Sequence, residues 1–344
     1  MSQRHDREGR VLAAVVRLYS EAGAPVSSTL VATWLGGAVS SATVRADMTR
    51  LEDDGCLAKP HTSAGWIPTR KGVRRFVNEM LDGGAGAATP GSAMVPVVER
   101  ELQRSSGSPA MVKALAALLS RLTDNIGIIL GPAWDTVRAE RLELYPKEGR
   151  RILMVLVLEN ALVRTGTIAV EEEFTPPVLQ DAARILSERI SGLSVREIRD
   201  GALDGLDAND DQAERCAREL AHQGSDLFSD VEEGDLELMG VANVLDEPEF
   251  SEPERLKKLV RFLESPRTIR SALQRLSPEN EDGIAVWIGS ENPIDELQPF
   301  SLVSSPFAME GRRGVLAVLG LRRMSYDRAI QGMQVLVRSM KTLD

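Results

Sequence analysis

The chain has 344 residues, of which 43% are hydrophobic, 27% are charged and only 4% are aromatic. This length exceeds one ordinary domain of about 100–200 residues, and the near-average apolar content excludes wholesale disorder. The formal net charge of −10, taken alone, argues against nucleic acid as a partner.

The uneven distribution of charge changes that conclusion. Residues 1–80 carry 11 Lys and Arg against 8 Asp and Glu, a net charge of +3, which leaves −13 on the remainder. A basic segment on an acidic protein is typical of nucleic-acid contact through the basic part. We therefore expect residues 1–82 to form a DNA-binding domain.

The first two predicted elements are helices. Residues 7–20 repeat apolar side chains with helical spacing, and the Gly- and Pro-containing turn at 21–25 ends the pattern. Ser27 or Ser28 can cap a short second helix, since a serine hydroxyl accepts a hydrogen bond from a free backbone N–H at a helix start. This arrangement predicts the first part of a helix-turn-helix.

The third predicted helix is the candidate recognition helix. Ser40 or Ser41 can cap it, and Val44, Met48 and Leu51 recur with helical spacing toward a core. A helix with small polar residues and arginines on its other faces is typical of a reader of the DNA major groove. The residues predicted to address that groove are Ser41, Thr43, Arg45 and Arg50, with Arg45 the candidate for a bidentate contact to guanine.

Two short extended pieces, from residue 56 to residue 69, predict a hairpin or wing after Gly55 ends the third helix. The residues predicted to contact the DNA backbone or minor groove from this wing are Lys59, His61, Thr62, Ser63 and Gly65. Thr69 is predicted to cap a fourth, basic helix. Because winged helices also serve as protein–protein modules, the pattern alone leaves that use open.

The remainder of the chain predicts a linker and a larger mixed domain. Gly, Ala, Pro and Ser dominate residues 82–92 and 105–109, which favours a linker at 83–110. Helices and strands then alternate, which predicts an α+β domain. The expected helices are 112–122, 178–190, 211–228, 254–264 and 326–342, and the expected strands are 126–130, 151–158, 162–170, 236–245, 284–288, 300–304 and 315–321.

The sequence gives no indication of an enzyme. It contains no nucleotide-binding, metalloprotease, nucleophile-elbow or CxxC motif. Its two cysteines do not make a disulfide scaffold or a zinc site, so we expect no cofactor and no metal. The charged N-terminus does not look like a secretory signal, and no apolar run is long enough to span a bilayer, so we expect a cytoplasmic protein without a membrane contact.

Residues 40–72, which read SSATVRADMTRLEDDGCLAKPHTSAGWIPTRKG, resemble the winged-helix segment of HrcA, the bacterial heat-shock repressor. Later blocks at 118–132, 287–293, 301–307 and 314–330 also look like that family. The chain departs from the family pattern at Trp66, where an Arg is usual, and at Ala46 and Asp47, where Asn and Glu are usual.

The resemblance implies a winged helix at 1–82, a GAF-like sensor domain at 111–172 and 236–344, and an inserted dimerisation subdomain at 173–235. It further implies a repressor of chaperonin genes that binds an inverted-repeat operator as a homodimer, with activity modulated by the GroEL chaperonin. The alternative is a ligand-responsive winged-helix regulator whose sensor domain binds a small molecule directly.

Overall fold

The computed structural model describes the chain except for residues 1, 62–63, 84–94, 106–110, 160–161, 207–210, 233, 246, 281–282, 310–311 and 342–344. The described residues form two compact units. The first comprises residues 1–130 and 236–344, and the second comprises residues 131–235. Helices and strands are mixed throughout, which confirms the predicted α+β class.

The N-terminal part of the first unit contains four helices and a two-stranded antiparallel hairpin. These elements are α1 (Ser2–Ala22), α2 (Ser28–Trp34), α3 (Ser41–Asp53), β1 (Leu57–Ala58), β2 (Ile67–Pro68) and α4 (Arg70–Leu81). Ser27 and Ser40 cap α2 and α3 by accepting hydrogen bonds from backbone N–H groups, each at 3.2 Å. Thr69 caps α4 in the same way from the Gly72 N–H at 3.2 Å, which confirms the predicted cap.

The rest of the first unit is built on a five-stranded antiparallel sheet in the order β7, β3, β10, β9, β8. At its centre, Val318 of β10 pairs with Gly127 of β3 on one side and with Val303 of β9 on the other. Its elements are α5 (Val95–Ser105), α6 (Met111–Thr123), β3 (Ile126–Leu130), β7 (Leu236–Met239), α10 (Val241–Leu245), α11 (Pro253–Leu263), α12 (Pro266–Leu276), β8 (Ala285–Ile288), β9 (Phe300–Met309), β10 (Arg312–Leu321) and α13 (Tyr326–Lys341).

Hydrophobic cores lie on both faces of this sheet. On one face, alternate strand residues such as Leu316 and Val318 pack with α6 and α13, and this core continues into the N-terminal helices. On the other face, Ala317 and Leu319 pack with α11 and α12. Strands buried on both faces read as continuous apolar runs, and this explains why their positions were predictable from the sequence.

The second unit holds a three-stranded antiparallel sheet in the order β4, β5, β6, against which helices pack. Its elements are β4 (Ala139–Lys147), β5 (Arg151–Leu158), β6 (Val163–Ala169), α7 (Pro176–Ile190), the single turn α8 (Val195–Glu197) and α9 (Gln212–Glu232). The insert was expected to begin at residue 173, and this start differs from that of the compact unit in the structure. The compact unit begins at Gly131, because β5 and β6 pair with β4 and not with the five-stranded sheet.

Two further expectations are corrected. Residues 83–110 are not all linker, because they contain α5, whose Val98 and Leu102 are buried. The strand expected at 236–245 ends at Met239, since Gly240 takes a positive φ of 82° and α10 follows it. Strand β4 and helix α12 were not predicted from the sequence. No described helix is both long and apolar enough to cross a membrane.

Candidate nucleic-acid interface

Helix α3 presents one buried and one exposed face. Val44, Met48 and Leu51 are completely buried, which confirms the predicted core face. On the opposite side Ser41 and Arg45 are exposed. The sequence therefore divides the helix into a face that anchors it and a face that a partner can reach.

Arg45 is the exposed cation of this helix. Its guanidinium carbon lies 6.0 Å from the centre of the Trp66 ring, and among the described residues no carboxylate forms an ion pair with it. Thr43, at the N-terminal end of the same helix, is half-buried and lies 2.9 Å from Ser40, oxygen to oxygen. Three of the predicted groove residues, Ser41, Thr43 and Arg45, thus lie on the first turns of α3.

Arg50 lies apart from those three and is ion-paired, with a side chain that is 39% exposed. Its Nη1 donates to Asp47 Oδ1 at 2.8 Å and to Glu8 Oε1 at 3.2 Å. Asp47 is completely buried and also accepts two hydrogen bonds from Arg7 of α1. These hydrogen bonds, followed by charge attraction, raise the pKa of Arg7. Arg50 therefore contributes to neutralising a buried carboxylate.

The wing is held to the helical part by backbone pairing. Val26 N–H donates to Trp66 O at 2.8 Å, and Trp66 N–H donates to Val26 O at 2.9 Å. A Cβ on Gly65 would lie 2.5 Å from the Val26 carbonyl oxygen, so glycine is required by this close approach. Gly65 therefore has a structural reason to be glycine.

Trp66 forms a cluster with Glu52 and Lys59. The Trp66 side chain is only 4% exposed, and its Nε1 donates to Glu52 Oε2 at 2.8 Å. Lys59 Nζ lies 2.9 Å from the same Glu52 oxygen and 4.3 Å from the centre of the Trp66 ring. The hydrogen bond from Lys59, with a further one from Trp66, holds the pKa of Glu52 below its ordinary value. Lys59 is thus an ion-paired residue at the base of the wing.

The tip of the wing is only partly described. His61 is exposed, and its carbonyl accepts a hydrogen bond from the Ala64 N–H at 3.0 Å, which closes the turn. Thr62 and Ser63, the other predicted wing contacts, lie outside the described residues. His61 is therefore the predicted wing residue that the structure places at the surface.

Of the basic residues of α4, Arg74 and Arg75 are half-buried, whereas Arg70 and Lys71 are exposed. Arg74 donates to the Val286 carbonyl at 2.6 Å and forms an ion pair with Glu291. Arg70 donates to Ser290 Oγ, and Arg75 pairs with Glu79 at 2.9 Å. Part of the basic excess that predicted a DNA-binding segment is therefore used within the first unit: Arg70 and Arg74 contact residues 286–291, and Arg75 pairs within α4.

Comparison with known proteins identifies the family. The profile of the HrcA protein C-terminal domain matches residues 110–330, which is well over half of the chain. The chain belongs to the HrcA family. The heat-inducible transcription repressor HrcA of Desulforudis audaxviator is 30% identical over 345 residues, which cover 97% of this chain and 96% of that protein.

Other relatives agree. The heat-inducible transcription repressor HrcA of Natranaerobius thermophilus is 29% identical over 330 residues, covering 94% of this chain and 92% of that protein. A crystal structure described as that of a hypothetical protein at 2.2 Å resolution is similar with a TM-score of 0.64 and 25% identity, and covers 98% of this chain and 96% of that one. The HrcA resemblance predicted from residues 40–72 and the later blocks is confirmed.

The contacts that several charged residues make within the first unit were not predicted from the sequence. The partners of Arg70 and Arg74 lie more than 200 positions away in the chain, so no local pattern could reveal them. The Trp66 cluster offered one signal, since a tryptophan where the family usually has Arg is an apolar residue in a polar segment. Such a residue is more often buried than exposed.

Proposed function

We propose that this chain represses heat-inducible genes by placing α3 of a winged-helix domain, residues 1–82, in the major groove of its operator. As a member of the HrcA family, the chain is a negative regulator of heat-shock transcription. The observation that carries the proposed geometry is Arg45, an exposed cation without a carboxylate partner among the described residues, on a capped helix whose other face is fully buried.

Arg45 reads a base in this proposal. An arginine on the exposed face of a rigid helix can donate two parallel hydrogen bonds to the O6 and N7 atoms of guanine. Ser41 and Thr43, at the start of the helix, are placed to contact phosphate, which backbone N–H groups at a helix N-terminus also attract. His61, Thr62 and Ser63 contact the DNA backbone from the wing.

Three other predicted site residues, Arg50, Lys59 and Gly65, support the parts of the protein that contact DNA in this proposal. Arg50 holds α3 to α1 through its ion pair with Glu8, and Lys59 braces the wing through Glu52. Gly65 allows the wing to approach Val26. We therefore assign Arg50, Lys59 and Gly65 to support of the reading surface, with Arg45 as its specific contact.

The body of the protein is proposed to be GAF-like. An antiparallel sheet covered by helices on both faces supports that assignment. The unit at 131–235 is proposed to make a homodimer. Tyr145 on β4 and Val163 on β6 are about half exposed, at 49% and 47%, which supports a contact surface on the two outer strands of its sheet.

Two consequences follow for operator and partner. Because a two-fold symmetric dimer presents two copies of α3 in opposite directions, its operator is an inverted repeat. Family resemblance further supports modulation by the GroEL chaperonin, which would signal the load of unfolded protein. The chain needs no sensing chemistry of its own for that form of control.

A titration of labelled DNA tests the proposal. Fluorescence anisotropy with an inverted repeat taken from upstream of the organism's chaperonin genes is compared with a scrambled duplex over a salt series. We expect at least about a thousandfold preference for the inverted repeat, with affinity falling steeply as salt rises because phosphate contacts release counterions. Equal affinity for both duplexes would overturn the proposal.

A further inference from the structure

We propose that the cavity between the N-terminal helices and the five-stranded-sheet part of the first unit binds a small organic anion. The cavity measures about 440 Å³, which lies within the usual range of about 300–1,000 Å³ for small-molecule sites. Its walls come from α1, β2 and α4 on one side and from α11, β8, β10 and the start of α13 on the other.

The cavity has an apolar part formed from both sides. Val16 of α1, Ile67 of β2 and Val73 of α4 contribute from the N-terminal side. Ile288 and Leu321 contribute from the ends of β8 and β10. Val16, Val73, Ile288 and Leu321 are already at least 94% buried, and Ile67 is half-buried, so these side chains form the floor of the cavity at the edge of the cores. An apolar group of a ligand seated on that floor would be removed from water.

Arginines outnumber glutamates in the lining of the cavity, which contains Arg70, Arg255, Arg322 and Arg323 against Glu249 and Glu252. Arg323 is paired with Glu247 and Glu249, and Arg255 is paired with Glu252. Arg70 and Arg322 also line the cavity, and among the described residues neither forms an ion pair with a carboxylate. Arg70 donates to Ser290 Oγ, a neutral partner. The nearby carboxylate, Glu291, forms its ion pair with Arg74, and the charge of Arg70 helps to lower the pKa of Glu291.

This combination defines the chemistry of the ligand. An arginine guanidinium presents parallel N–H donors that match the oxygens of a carboxylate or a phosphate. The apolar wall favours an aromatic or aliphatic group on the same molecule. The ligand class is therefore a small amphiphilic anion, a carboxylate or a phosphate monoester, with its charge between Arg70 and Arg322.

The position of the cavity gives the ligand a regulatory consequence. Arg70 begins α4 directly after β2, the strand that carries the wing, whereas Arg322 follows β10. A ligand that contacts both arginines binds more tightly when the N-terminal helices are docked on the sheet, and so stabilises that arrangement. The effect on operator affinity rests on the proposed function, whereas the binding itself does not.

Isothermal titration of the full-length protein tests the site without DNA. The probes are 3-phenylpropionate, phenyl phosphate and the neutral analogue 3-phenylpropionamide. We expect saturable binding of at least one anion with one site per chain, and binding of the amide weaker by about tenfold or more, because the charge interaction is lost. The anion that binds more tightly distinguishes a carboxylate site from a phosphate site.

Three variants locate the binding. Arg70→Gln and Arg322→Gln should each weaken the anion by about tenfold, a loss typical of a charged hydrogen bond. Arg338→Gln, an exposed change on α13 outside the cavity, should leave it unchanged. Arg322 is exposed, so its variant is expected to fold, and circular dichroism checks this. Absence of saturable binding by both anions, equal binding of the amide, or binding unaffected by Arg322→Gln would each overturn the proposal.

Discussion

Arg7 and Asp47 form a two-point ion pair that ties the proposed recognition helix to the first helix of the protein. Arg7 Nε donates to Asp47 Oδ2 at 2.7 Å, and its Nη2 donates to Oδ1 at 3.0 Å. The carboxylate is completely buried, whereas the Arg7 side chain is 33% exposed. Since a buried carboxylate is costly unless it is paired and hydrogen-bonded, this contact fixes how α3 sits on α1.

The first prediction concerns this pair. Asp47→Ala should lower the free energy of unfolding by about 2–3 kcal/mol, because it removes charged hydrogen bonds from two arginines. The partial exposure of Arg7 and Arg50 limits the loss, since water can solvate both after the change. Chemical denaturation measures it, with Asp53→Ala, an exposed change on the same helix, as the control. Equal stabilities of the two variants would contradict the prediction.

The second prediction concerns Trp66, which stands where the HrcA family usually has Arg. Trp66→Phe keeps most of the buried ring but removes the hydrogen bond to Glu52, and should cost about 1 kcal/mol. Trp66→Ala removes the ring and should cost about 3–5 kcal/mol. Denaturant unfolding followed by circular dichroism gives both values. If the two variants lost the same stability, burial of the ring would not be its main contribution.

The third prediction concerns the approach of the wing to the helices. Gly65→Ala forces a Cβ against the Val26 backbone and should weaken the Val26–Trp66 pairing, with a loss of about 1–3 kcal/mol in unfolding free energy. Gly9→Ala in α1 is the control, because its Cβ meets only the flexible end of Glu79 at 3.0 Å. Thermal unfolding compares them. A Gly65→Ala variant as stable as Gly9→Ala would refute the close approach.

The sequence predicted those parts of the fold that depend on local chemistry. The caps at Ser27, Ser40 and Thr69 and the buried face of α3 follow from residue type and helical spacing. Strands buried on both faces, such as β3, stood out as apolar runs. Strand β4 did not, because its sequence AERLELYPK does not alternate cleanly: two charged residues follow Ala139, where the register shifts, and a proline lies near its end.

The candidate site was also predictable only where local spacing decides exposure. Contacts between residues far apart in the chain could not be predicted. Arg45 could be assigned from its position opposite the core residues of α3. Arg50 could not be separated from it, because its partner Glu8 lies 42 positions away on α1. The contacts of Arg74 and Arg70 are with residues more than 200 positions away, so only the folded chain distinguishes an unpaired surface arginine from one that contacts another part of the unit.

The fourth prediction concerns pH. Burial would raise the pKa of Glu291, but hydrogen bonds from Arg74 and from the Ile288 N–H, with the charge of Arg74, outweigh it and lower that pKa. Glu291 therefore contributes stability that is present above its unfolded pKa of about 4.3 and is lost as pH falls through the lower folded value.

Unfolding experiments with Glu291→Gln check this dependence. At neutral pH the variant should be less stable than the unchanged protein by about 1 kcal/mol, since the pair is partly exposed. The difference should shrink as the pH is lowered below about 4. Glu264→Gln, an exposed change at the end of α11, is the control and should show no such trend. A Glu291→Gln difference independent of pH would rule out the ion pair as its source.

The fifth prediction concerns Arg45, whose role decides the proposed function. Operator and scrambled-duplex affinities are measured side by side by fluorescence anisotropy for the unchanged protein and for Arg45→Ala, with Arg338→Ala as an exposed control. We expect Arg45→Ala to weaken operator binding by about 1–3 kcal/mol and to relax the preference at one base pair, with the scrambled duplex much less affected. An equal loss on both duplexes, or no loss on either, would contradict base reading by α3.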